Sequence, residues 1–141
     1  MPSKKISISI PTHTYNKITK RYEGNTSATI NTQLERYFEA LRRERRGLRD
    51  ILTENECALI LDATNGTIHY PESVPLFAYG IRDAIDLDKL DEKWDVDADV
   101  LMRKISDAPY ITYLTLIDGA ERWWNRVSRG ETPPYTDLLA D

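Results

Sequence analysis

Residues 4–11 read Lys-Lys-Ile-Ser-Ile-Ser-Ile-Pro, and this stretch decides the fold. In an extended chain Ile6, Ile8 and Ile10 share one face while Lys5, Ser7 and Ser9 share the other, which predicts a strand. Pro11 ends it, because proline has no N–H to continue a ladder. No later segment within residues 1–60 alternates well enough to pair with this strand. An isolated strand is unstable in water, and its unpaired N–H and C=O groups seek another edge. The simplest edge is the same strand from a second copy, running antiparallel about a two-fold axis. Such a ribbon buries Ile6, Ile8 and Ile10 of both chains on the helices beneath and exposes Lys5, Ser7 and Ser9 of both.

Beyond Pro11 the period changes. Tyr15, Ile18 and Tyr22 are spaced i, i+3, i+7, one stripe of a short helix. Gly24 and Asn25 break it, and Asn25, Thr26 or Ser27 caps the next helix. That helix carries Ile30, Leu34, Tyr37 and Leu41 on one face. It is expected to close on Arg42, Arg43, Arg45 and Arg46, with Gly47 at the C′ position. The arginines complement the helix dipole and are read as a solvated end rather than a DNA contact.

Strand, short helix, Gly-Asn turn and longer helix in under 50 residues resemble the ribbon-helix-helix fold of the Arc, MetJ and CopG repressors. The likeness rests on Lys-Ile-Ser-Ile-Ser-Ile-Pro, on Tyr15 and Ile18, and on Asn-Thr-Ser-Ala-Thr-Ile followed by Leu-Glu-Arg-Tyr. It covers residues 1–47 only. The resemblance implies that paired strands enter the DNA major groove. Lys4, Lys5, Ser7 and Ser9 then belong to the DNA-binding face, with Lys5, Ser7 and Ser9 reading bases. Lysine can donate to guanine O6 and N7, and serine can donate or accept at several base edges. The resemblance also implies a phosphate held at the start of the second helix by amides around Asn25, Thr26 and Ser27, a contact the helix dipole favours. The expected dimer interface is Ile6, Ile8, Ile10, Ile30, Leu34, Tyr37 and Leu41.

Charge supports this division of labour. Residues 1–50 hold 11 Lys/Arg against 5 Asp/Glu, and residues 51–141 hold 8 against 18. The first region suits an anion; the second should repel one. The expected organisation is therefore a dimerisation and DNA-binding domain over 1–50, then an acidic, mainly helical domain over 51–141. In that second domain Thr53 and Glu56 form a capping box, opening a helix that Asn65-Gly66 closes. Leu76, Phe77, Ile81 and Ile85 follow a Ser73 cap. Asp97 caps a short helix containing Leu101 and Ile105. Tyr110, Leu114, Ile117, Glu121 and Trp124 trace a helical stripe, with a strand over Tyr110–Leu116 left open by its β-rich composition. The tail from about residue 128, with Pro133-Pro134, is expected to be loosely ordered.

Several classes are excluded. At 40% hydrophobic and 30% charged, the 141-residue chain has the composition of a folded protein. The longest apolar run, Cys57–Leu61, is far short of the roughly 20 residues of a membrane-spanning helix, and no apolar segment suits a signal peptide. Cys57 is the only cysteine, so an intrachain disulfide is impossible and a cytoplasmic location is expected. Asp95, Asp97 and Asp99 begin like a calcium loop, but Val100 and Ser106 stand where such a loop needs Gly and Glu. His13, His69 and Cys57 lack metal-ligand spacing, and both histidines are read as surface residues. Trp94, Trp123 and Trp124 are read as core or interface. No catalytic motif, metal or cofactor is expected.

These readings predict a mostly α-helical chain and a dimeric, sequence-specific transcriptional regulator, acting as a repressor on double-stranded DNA. The C-terminal domain could build higher oligomers on DNA, sense a small molecule, or bind a protein. Rival readings keep the same N-terminal domain in an antitoxin, or in a plasmid partition or relaxosome accessory protein, whose acidic domain grips a partner.

Overall fold

The computed structural model describes residues 4–65 and 74–141 and is mostly helical. Its α-helices are α1 (Thr12–Arg21), α2 (Thr26–Arg49), α3 (Glu54–Ala63), α4 (Val74–Asp88), α5 (Leu90–Lys93), α6 (Ala98–Ile105) and α7 (Tyr110–Ser128), followed by a 3-10 helix over Tyr135–Leu139. Ser73, Gly66 and His69, invoked above as cap, helix stop and surface residue, lie outside the described residues, as does the side chain of Leu76. The chain forms two compact units, Met1–Phe38 and Glu39–Asp141. The division falls inside α2 rather than at residue 50.

In the first unit, residues 4–10 form no helix and join no ladder, and no strand occurs among the described residues. The expected strand is therefore not formed in the single chain. The reason is physical: a lone segment has no edge with which to exchange hydrogen bonds. Pro11 precedes α1, and its carbonyl accepts the Tyr15 N–H at 3.0 Å. Gly24 adopts φ +99°, a conformation open chiefly to glycine, and turns the chain into α2. Asn25 caps that helix: its Oδ1 accepts the N–H of Ser27 at 2.9 Å and of Ala28 at 3.3 Å.

The second unit is built around α3, whose continuous run Cys57–Leu61 is buried. A helix apolar on all sides must lie inside. Phe77, Ile81 and Ile85 of α4, Leu101 and Ile105 of α6, and Leu116 and Ile117 of α7 share its core. The capping box forms: Thr53 accepts from the Glu56 N–H, and Glu56 accepts from the Thr53 N–H. Asp97 accepts the Val100 N–H at 3.1 Å and starts α6. Residues 110–128 are helix throughout, so the strand alternative there falls away. The buried face of α7 is Tyr113, Leu116, Ile117, Ala120 and Trp123, rotated from the stripe expected, and Tyr110 is exposed.

Three further expectations need correction. Gly47 does not end α2. The helix runs on to Arg49, because Leu48 is buried in the core and Arg49 Nε donates to the Leu139 carbonyl at 2.8 Å. The tail is not loose. Leu138 and Leu139 are buried, Trp123 Nε1 donates to the Pro134 carbonyl at 2.9 Å, and Arg126 pairs with Asp137 at 2.6 Å. The arginine end of α2 is not simply solvated either, since Arg45 is buried against Asp118 and Asp141.

Candidate nucleic-acid interface

The candidate interface is built in the first unit from residues 4–10 and the helices that follow them. Lys4, Lys5, Ser7 and Ser9 are all exposed. So are residues that ought to be covered: Ile6 is 79% and Ile8 61% exposed, while Ile10 is half-buried. Segment and helices border an open groove of about 980 Å³ whose apolar wall is Ile6, Ile8, Ile10, Tyr15, Ile30 and Leu34; Lys4, Lys5 and Ser7 line the same groove, so the single chain does not set them on a face opposite the isoleucines. Along α2 the apolar face continues through exposed Leu34, Tyr37 and Phe38, with the Tyr37 and Phe38 rings 5.7 Å apart. Such a contiguous apolar surface is unusual on a monomer and marks an interaction site.

Most of the residues expected at the dimer interface therefore lie on one uncovered surface. Leu41 does not. It is fully buried within the single chain and is unavailable to a second copy. Phe38 was missed by the sequence reading, although its spacing of four from Leu34 places it on the neighbouring edge of the same stripe.

The start of α2 also differs in detail from the expectation. Asn25 engages the Ser27 and Ala28 amides itself, and the Asn25 carbonyl takes the Thr29 N–H at 3.0 Å. Among the described residues the Thr26 N–H has no acceptor. An anion here would meet that amide and the Thr26 and Ser27 hydroxyls, not the Ser27 amide. The surrounding field is positive. Residues 1–38 hold six Lys/Arg against two Asp/Glu, with Lys20 and Arg21 in the last turn of α1.

The arginines of α2 divide by environment. Arg45 and Arg49 are engaged by Asp141 at 3.4 and 3.2 Å, whereas Arg42 and Arg43 lean on Glu39 in exposed pairs. Burial raises the Asp141 carboxyl, but Arg49 and Arg45 outweigh it and hold the group below its ordinary 3.8.

In the second unit the tryptophans are structural. Trp94 Nε1 donates to Asp62 and Trp124 Nε1 to the Leu61 carbonyl, and Trp94 and Trp123 pack on Tyr135. Burial, then the nearby Glu56 and Glu54 carboxylates, push the Cys57 thiol up to about 12. Asp95, Asp97 and Asp99 gather no metal-binding group among the described residues. His13 is exposed. Among those residues no helix is long and apolar enough to cross a membrane. No family model matches this chain, and no curated protein or solved structure matches it.

Proposed function

We propose that the protein is a dimeric, sequence-specific DNA-binding regulator, acting as a repressor, whose residues 4–10 pair antiparallel between two copies and enter the major groove. The observation that carries this reading is the exposed apolar groove beside a segment that joins no helix or ladder. A second copy would satisfy both at once: its segment supplies the missing hydrogen bonds, and its isoleucines cover the wall of the groove. The polar face of the ribbon, with Lys5, Ser7 and Ser9, then meets base edges, and the start of α2 meets phosphate. The packed second unit favours a regulator over an antitoxin, whose partner-binding tail is expected to be short and disordered.

The test is sedimentation of the full chain at micromolar concentration in high salt, beside Ile8→Ser. Wild type should sediment as a dimer. Ile8→Ser places a hydroxyl in the shared core and should sediment as a monomer with its second unit still folded. A monomeric wild type would remove the reading.

A further inference from the structure

The second unit carries two exposed helical stripes of opposite character and equal spacing. On α2, Arg42, Arg46 and Arg49 stand at i, i+4 and i+7. On α4, Tyr79, Asp83 and Asp86 stand at the same intervals. Tyr79 is 65% exposed, Asp83 and Asp86 are exposed, and neither aspartate makes an ion pair among the described residues. Leu87, beside Asp86, is 83% exposed. Tyr79, Asp83, Asp86 and Leu87 point away from the core that Phe77, Ile81 and Ile85 enter, so packing within the chain does not account for them.

We infer that the α4 stripe is a docking surface for the arginine stripe of α2 on another copy. Laid side by side, the stripes place Arg42 over the Tyr79 ring, Arg46 against Asp83 and Arg49 against Asp86. The first contact is a cation–π pair and the others are ion pairs. Arg49 already serves Leu139 and Asp141 through Nε and Nη2, and its Nη1 remains for Asp86. The aliphatic stem of an arginine can cover Leu87 while its head stays in water. The contact joins different patches on the two molecules, so a pair held by one such contact leaves one arginine stripe and one α4 stripe open to further copies. Exposed ion pairs are individually weak. The contact therefore fills at high local concentration, as when copies are already joined elsewhere.

Concentration-dependent sedimentation of the full chain at about 0.05 and about 0.5 M salt tests this, because charge contacts are screened while apolar ones are not. At low salt, species heavier than those remaining at high salt should grow with concentration, and the association should weaken at least about fivefold at high salt. Arg46→Asp and Asp83→Arg should each abolish the growth, and the double variant should regain it. Unfolding curves matching wild type would establish that these surface variants stay folded. Absence of salt-sensitive growth in wild type, unchanged growth in the single variants, or no recovery in the double variant would each overturn the inference. A monomer at high salt that still grows at low salt would sink the N-terminal dimer and leave this contact standing.

Discussion

Arg45 is 8% exposed, and its guanidinium lies 3.4 Å from the carboxylate of Asp141, 96 residues further along the chain. Asp118 of α7 approaches the same guanidinium at 3.7 Å. Through this pair of carboxylates the end of α2 is fastened to α7 and to the tail, which is why the last turns of α2 belong to the second unit.

Arg45→Ala should destabilise the second unit. Only Arg45 is buried while Asp118 and Asp141 stay partly exposed, so its removal strands no buried charge and the loss should fall short of that for a fully buried pair. Urea unfolding should show it as a lower midpoint at unchanged slope.

The same pair gives a pH dependence with a definite sign. The Asp141 carboxyl is held below its ordinary 3.8, so its contribution is present above that value and is lost as pH falls through the lower, folded one. Asp141→Asn should therefore reduce stability at neutral pH and make little difference in strong acid. Thermal midpoints of the two proteins, measured from pH 7 downward, should begin to approach each other near about pH 4 and meet once the pH lies below the folded value.

Gly119 is required by a close approach. A Cβ there would stand 2.1 Å from the Leu138 carbonyl oxygen, a backbone atom that cannot rotate aside. Gly119→Ala should push the tail off α7 at a cost of about 1–3 kcal/mol, despite the better helix propensity of alanine. Trp123, tied to Pro134, should report the release as a change in fluorescence.

Cys57 should be inert to thiol reagents in the native protein at pH 8. It is buried, and its thiol, pushed up to about 12, holds almost no thiolate there. Rapid modification in 6 M guanidinium, with slow modification in buffer limited by opening of the core, would establish this; equal rates would contradict it.

The features legible in the sequence are those written within a few residues. Asn25, the Thr53–Glu56 box and Asp97 cap their helices because the acceptors sit two or three residues from the amides they meet. What was hidden depends on distant partners. Nothing near Arg45 announces Asp118 or Asp141, and the Pro133-Pro134 signal masks a tail ordered by Gly119, Trp123 and Arg126. On α7 the buried face includes Thr112, Thr115, Gly119 and Ala120, whose small or polar side chains do not register as an apolar stripe. The larger residues Tyr110, Leu114 and Trp124 drew the expected stripe about one residue around the helix. At the candidate interface, the Asn25 cap was readable, but the amides it consumes were not. The burial of Leu41 within its own chain was equally invisible.

The central claim is that the polar face of residues 5–9 reads DNA sequence. It is tested by titrating wild type, Ser7→Ala and Ser9→Ala against a selected duplex and a random one, each at two salt concentrations. In the proposed ribbon Ser7 and Ser9 alternate with the isoleucines, so both variants should keep the oligomeric state of wild type. Each should lose roughly 1–3 kcal/mol on the selected duplex, the range for a good base contact. On the random duplex, which is held by charge, affinity and salt slope should stay unchanged. Equal losses on both duplexes, or no loss on either, would contradict the account.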